Sequence, residues 1–371
     1  MTIRILALSS PGEVRVAVVR GGELLDYAIW RPGAPDGVGD LLRGRVSARV
    51  PAMAGCFVAL PGGAEGFLPD SAGGKDASEG TILGVRVTRS AQGGKGPRLS
   101  AKLSDIDRQS VGSGPPALLR GGPGAIEIMG GRYPEAAILA DDPALAALLR
   151  PRLGDRVGAT REPPDDAVEA AIEGLGLREI ALPSGGRLHI EPTSALVAID
   201  ADTGGASATG QGKAASQLAF NHEILPAIAD QIRLRNLSGA ILVDLAGLSP
   251  RRRLTLGPSL AELLAHDPLR PRFLGFTALG LAEIVRPRVH PPLHELLSGP
   301  HAAGLAALRH AARESAARPD RAPALRAAPA VVSALRADPV ALPDLARRTG
   351  RPLILRSDPT LPACAWVLER T

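Results

Sequence analysis

Two short apolar runs, Ala195-Leu-Val-Ala-Ile-Asp200 and Gly239-Ala-Ile-Leu-Val-Asp244, each end in an aspartate. Runs of this length, flanked by Gly and Ser, read as buried strands, and a helix-length segment at 214–235 separates them. Side chains alternate along a strand, so Asp200 and Asp202 share a face. Adjacent strands lie about 4.8 Å apart, so strand-end aspartates on neighbouring strands can converge on one ion. Hard divalent cations take oxygen ligands and keep several waters, and phosphodiester cleavage uses such a metal to activate water and to steady the leaving oxygen. The plainer alternative is local: Asp202 opens the Asp-Thr-Gly-Gly turn, and Asp244 caps the turn into Leu248-Ser-Pro-Arg.

The rest of the chain sorts by periodicity. In 1–104, apolar runs at 14–19, 41–50, 57–60 and 82–87 are punctuated by Gly and Pro at barrel-like spacing. Residues 108–119, with Gly112, Gly114 and Pro115-Pro116, read as a linker. Short helices are expected at 143–153 and 165–175. Strands at 194–200, 240–245 and 272–276 then alternate with helices at 214–235, 257–266 and 279–286. A glycine-rich turn follows residue 200. Beyond 302 comes an Ala/Arg-rich helical tract with Pro-rich breaks near 319–329, and the tail carries two closing strands.

Composition limits the partners. With 371 residues the chain has room for two or more domains. A net charge of +5 permits a polyanionic partner, but only four of the 43 basic residues are lysine, so the basicity reflects an Arg-rich bias as well. Two cysteines, Cys56 and Cys364, make neither a disulfide scaffold nor a Cys-x-x-Cys metal site, which fits a reducing cytoplasm. No apolar run reaches 18 residues, so no membrane segment is expected, and the N-terminus reads as a first strand.

The blocks Leu182-Pro-Ser-Gly-Gly-Arg-Leu-His-Ile-Glu-Pro-Thr-Ser-Ala-Leu-Val-Ala-Ile-Asp200, Gln231-Ile-Arg-Leu-Arg-Asn-Leu-Ser-Gly-Ala-Ile-Leu-Val-Asp244 and Phe276-Thr-Ala-Leu-Gly-Leu-Ala-Glu-Ile-Val-Arg286 resemble the ribonuclease E/G family in order and spacing. The resemblance implies an α+β, multidomain protein. An S1-type OB barrel with flanking N-terminal strands would occupy 1–104, and a contracted ribonuclease-H-like or linker region 105–181. A mixed α/β catalytic nuclease domain, deoxyribonuclease-I-like, would occupy 182–300, and a small C-terminal α/β segment 301–371. The implied activity is Mg²⁺-dependent endonucleolytic cleavage of single-stranded RNA, such as rRNA or mRNA precursors, leaving 5′-phosphate and 3′-hydroxyl ends. Asp200 and Asp244 are the implied metal ligands, with Mn²⁺ as a substitute for Mg²⁺, and Asp202 stands where the family carries an Asn that orients the scissile phosphate. Gly247 stands where the family carries a further Asp.

The stretches Gly39-Asp-Leu-Leu-Arg-Gly-Arg-Val-Ser-Ala-Arg-Val, Gly55-Cys-Phe-Val-Ala-Leu and Gly66-Phe-Leu-Pro resemble the family's S1 barrel, which places Phe57 and Phe67 at its base-stacking positions. The alternative is that either ring sits in a small core. Lys95, in Gly93-Gly-Lys-Gly-Pro-Arg98, matches a basic RNA-contacting position or is a solvated loop charge. The family's Cys-Pro-x-Cys zinc link is absent, and its place reads Val289-His-Pro-Pro-Leu-His-Glu-Leu-Leu-Ser-Gly-Pro-His301. Three histidines short of a four-ligand set make neither a structural zinc nor a zinc-linked homo-oligomer the expectation. Two further readings stand beside the nuclease: an RNA-binding relative that has lost turnover, and a ribosome-associated interaction protein.

Overall fold

Closely spaced short strands close on themselves only when the first can pair on both edges, and the second of two compact units does this. The computed structural model describes residues 2–183, 185–204, 213–318 and 323–370, an α+β chain. Pro35–Ile128 and Arg288–Pro291 form one unit; Met1–Ala34, Met129–Pro287 and Pro292–Thr371 form the other.

In the smaller unit, strand β4 (Leu41–Val50) pairs with both β5 (Gly55–Ala59) and β7 (Ile82–Arg89). β6 (Glu65–Pro69) pairs with β5 and with β8 (Arg98–Ser100), and β8 returns to β7, closing a five-stranded barrel. Closure leaves few unpaired edges, and the alternating inward residues Leu42, Val46, Cys56, Val58, Leu68, Val85, Val87 and Leu99 form the core. The expected linker at 108–119 proves to lead into a strand. Arg43 donates to Val111 O (2.7 Å) and Pro115 O (3.2 Å), and β9 (Ala117–Arg120) then pairs with β4. Gly and Pro there form a return turn that only pairing with a distant strand could reveal.

In the larger unit, β1 (Ile3–Ser10), β2 (Glu13–Arg20) and β3 (Glu23–Trp30) form an antiparallel meander. β1 also pairs in parallel with β10 (Ala137–Ala140), which pairs with β11 (Val157–Ala159), giving the order β11-β10-β1-β2-β3. The helix Pro143–Leu153 links β10 to β11, and a second helix covers Asp166–Gly174, close to the expected spans.

The unit's second sheet has the order β12-β13-β14-β15-β17-β16, with β12 (Glu179–Ala181), β13 (Arg187–Pro192), β14 (Val197–Asp202), β15 (Gly239–Asp244), β16 (Arg272–Phe276) and β17 (Ala282–Arg286). β14 and β15 are parallel, joined through the helix Lys213–Leu234. That helix buries Ile224, Leu225, Ile228 and Ile232 against Leu188, Ile190, Ile199, Ile241, Val243 and Ile284. The glycine-rich turn before it extends into 205–212, outside the described residues. The expected helix at 279–286 is instead strand β17, paired with β16 and β15. Its alternation of buried Ala282, Ile284 and Arg286 has period two, and a sheet with an open edge at β15 takes up that pattern. Arg286, 4% exposed, is held there by Asp267 (2.7 Å) and Asn236 (2.6 Å).

The C-terminal strands expected in the tail are β19 (Ile354–Ser357) and β20 (Trp366–Arg370). Both pair with β18 (Pro323–Ala327), a third strand in a region read as Pro-rich breaks, of which 319–322 lie outside the described residues. Helices Gly299–Ala317, Pro329–Ala337 and Ala341–Thr349 cover this sheet through Leu305, Leu308, Val332, Leu335 and Leu345. Asp338 ties two of them together, accepting from His301 Nε2 (2.9 Å), Val340 N (2.8 Å) and Ala341 N (3.0 Å). Burial alone would raise its pKa, but those three hydrogen bonds hold the carboxyl below its ordinary value. A depressed carboxyl stabilises the fold above its unfolded pKa, about 3.9, and loses that contribution as pH falls through the folded value. Asp338→Ala is therefore expected to cost roughly 1–3 kcal/mol in urea unfolding at pH 7, a gap that closes as wild type and variant are compared below about pH 4.

Candidate functional site

The face of the second sheet opposite its core holds the three aspartates. β14 alternates buried Val197, Ile199 and Ala201 with exposed Ala198, Asp200 and Asp202, and β15 buries Ile241 and Val243 while exposing Asp244. Asp200 and Asp244 are direct partners in the parallel ladder, so both carboxylates leave the same face at the same level. Asp202 stands one pleat further along, opposite Arg187 on β13. Its Oδ1 accepts from Gly204 N at 3.1 Å, so it does close the turn read from the sequence, while its position keeps it on the aspartate face. The carboxylate of Asp200 makes no hydrogen bond or ion pair among the described residues.

Several neighbours were not singled out by sequence reading. His189 lies opposite Asp200 on β13, half-exposed, with Nδ1 3.9 Å from Glu179. Arg253, from the Ser-Pro-Arg-Arg-Arg-Leu run after β15, sends Nη2 to within 3.9 Å of Asp244 Oδ1. Its Nη1 donates to Gly280 O at 2.7 Å, fixing the guanidinium beside the carboxylate. The triple arginine just past Asp244 was its only sequence signal. Asn221, fully buried on the helix Lys213–Leu234, donates through Nδ2 to Gln217 O (2.7 Å) and to Ala246 O (2.9 Å). This clamps the helix to the loop that follows Asp244. Gly247 in that loop has φ +55°, and a Cβ there would fall 2.2 Å from Gln217 Nε2, so the glutamine amide occupies the space beside that position. Among the described residues, no three His, Cys, Asp or Glu side chains form a metal cluster.

On the barrel, Phe57 and Phe67 are partners across β5 and β6, with ring centroids 5.6 Å apart in an edge-to-face arrangement. Both alternate with inward Cys56, Val58 and Leu68, so neither ring belongs to the core, and both lie half-exposed on the outer surface. Gly55 makes room for this pair: a Cβ would lie 2.5 Å from Phe67 Cζ and 2.7 Å from Leu68 O. Lys95 is exposed beside a two-glycine turn, bridged to Gln92 by backbone hydrogen bonds of 3.1 and 3.0 Å. The three histidines after β17 have separate surroundings: His290 pairs with Asp36 (2.5 Å), His301 with Asp338, and burial lowers the pKa of His294.

Residues 163–289 match the Ribonuclease E/G family. A 130-residue stretch, 35% of this chain, is 36% identical to Ribonuclease E of Nostoc sp. (strain PCC 7120 / SAG 25.82 / UTEX 2576) and covers 19% of that protein. Ribonuclease E of Escherichia coli (strain K12) is 35% identical over 158 residues, 41% of this chain and 15% of its own. Ribonuclease G of the same strain is 34% identical over 135 residues, 36% of this chain and 26% of its own. The chain thus spans about a quarter or less of the length of these relatives. The matched segment contains β12 to β17 and all three aspartates; the barrel lies outside it.

If Asn221 holds the loop after Asp244, Asn221→Ala leaves Ala246 O without its donor inside the protein. The expected loss is about 1–3 kcal/mol in chemical unfolding. Unchanged stability would show the clamp to be dispensable.

Proposed function

We propose that this chain, whose residues 163–289 match the ribonuclease E/G family, is a metal-dependent endoribonuclease that cleaves single-stranded RNA during RNA processing. The observation that supports this most is the paired register of Asp200 and Asp244 on one exposed face. Two carboxylates at one level suit Mg²⁺, which needs only one or two protein oxygens and otherwise keeps its waters. The unengaged carboxylate of Asp200 offers the oxygen ligand that a hard cation prefers. A bound Mg²⁺ would supply Lewis acidity toward a phosphate oxygen and toward the attacking water.

The chain's own residues do the positioning. The ladder holds Asp200 and Asp244 without reorganisation, and Arg253 places positive charge beside Asp244 where a phosphate would add negative charge. Water adds at phosphorus, the bond to the 3′-oxygen breaks, and that oxygen leaves as a hydroxyl with the phosphate kept on the 5′ end of the downstream product. Asp202 lines the same face. The barrel carries the strand: Phe57 and Phe67 offer half-exposed rings for stacking, and Lys95 an exposed charge for the backbone, as in S1-type single-strand binders.

A non-catalytic RNA-binding relative is the second reading. It is favoured by Asp202 and by Gly247, whose surroundings are filled by Gln217. The two separate in a cleavage assay on a single-stranded oligoribonucleotide with Mg²⁺. Asp200→Ala and Asp244→Ala are each expected to slow cutting about a hundredfold or more, near 2.7 kcal/mol in the barrier. Asp202→Asn keeps an acceptor for Gly204 N and is expected to cut at least as fast as wild type. No cleavage by wild type with Mg²⁺ or Mn²⁺ would sink the enzyme reading; equal cutting by either alanine variant would sink the assigned ligands.

A further inference from the structure

Arg89 ends β7, Arg98 opens β8, and the two are partners in the ladder. Arg98 is also the partner of Phe67 across β6 and β8. The short segment Arg288–Pro291 belongs to the same compact unit. Its Val289 carbonyl accepts three hydrogen bonds, from Ser90 N (2.9 Å), Ser90 Oγ (3.1 Å) and Gln92 Nε2 (3.1 Å). Those contacts pin the segment to the end of β7 and set Arg288 beside Arg89. Arg98 and Arg288, from distant parts of the sequence, thus both bear on the guanidinium of Arg89, with the half-exposed ring of Phe67 on the strand beside Arg98.

Nothing among the described residues balances that charge. None of the three arginines forms an ion pair there, and Arg89 Nε is buried without a hydrogen-bond partner. Burial first, and then the charges of Arg98 and Arg288, lower the pKa of Arg89. Clustered like charges and an unpaired buried donor both cost free energy, and an anion that accepts from the donor relieves both. A guanidinium fork matches two phosphate oxygens, and a single-strand binder needs a cationic track beside its stacking rings.

We propose that Arg89, Arg98 and Arg288 form a phosphodiester-binding site that grips the RNA backbone next to the base stacked on Phe67. This rests on the reading of the barrel as a single-strand RNA-binding surface. It adds the element that fixes where the backbone runs, and it gives the segment after β17 a role in binding.

The test is binding of a fluorescent single-stranded oligoribonucleotide to the full chain, in EDTA, across a salt series. Arg98→Gln and Arg288→Gln are each expected to weaken binding about fivefold or more at low salt. Each should also reduce the slope of log K against log salt by about 0.7, the value for one lost phosphate contact on a single strand. Arg89→Lys, which retains a charge but not the fork, should weaken binding with a smaller change in slope. Phe67→Ala should weaken binding and leave the slope unaltered. If Phe67→Ala weakens binding while the arginine variants keep wild-type affinity and slope, the arginine site is overturned and the barrel reading stands. If wild type does not bind single-stranded RNA at all, the barrel reading fails and the arginine site with it. Thermal melts of each variant separate a lost contact from a lost fold.

Discussion

The parallel pairing of β14 with β15 is the constraint on which the candidate catalytic face depends. Period-two alternation sends Val197, Ile199, Ile241 and Val243 into the core and Asp200 and Asp244 out of it. Each buried aliphatic side chain contributes about 1.5–3 kcal/mol, whereas burying a carboxylate without a partner costs several kcal/mol. A slip by one residue in either strand would exchange the two faces and incur both penalties together. The core therefore sets the register, and the register aligns the aspartates. Asn221 and Arg253 add to the result, donating to Ala246 O and Leu245 O just beyond Asp244.

The same rule organises the barrel, with aromatic rings in place of carboxylates. Cys56, Val58 and Leu68 fill the interior, so Phe57 and Phe67 must face out. Such exposure has an entropic and solvation cost that a stacking ligand would offset. The arginines of β7, β8 and the 288–291 segment gather beside these rings without any acidic partner among the described residues. Apolar rings beside unneutralised cations make a surface suited to a flexible polyanion that carries flat bases.

The departures from the resembled family sit around the same strand ends. Asp202 serves its own turn through Gly204 N, a task an Asn could share, so the extra charge is not required by the local fold. Gly247 adopts a left-handed backbone and yields its side-chain space to Gln217.

The sequence by itself determined the local elements that have a strong period: the strands ending in Asp200 and Asp244, the long amphipathic helix between them, and the short strands at 41–50 and 82–87. It also determined which chemical groups would stand at strand ends, because alternation fixes the face once a strand is given. It misread 279–286 as a helix, and it missed the strand that begins at the end of the 108–119 linker and the strand at 323–327 within the expected breaks. In each case a short run becomes a strand only by pairing with a partner already in place: β17 with β15, β9 with β4, β18 with β20. Tertiary structure alone decided that Asp200 and Asp244 share a level, that Phe57 and Phe67 meet edge to face, and that Arg288 joins Arg89. The first and last of those pairings span long stretches of chain, and even the Phe57–Phe67 hairpin contact depends on the buried face that turns both rings outward rather than on local propensity.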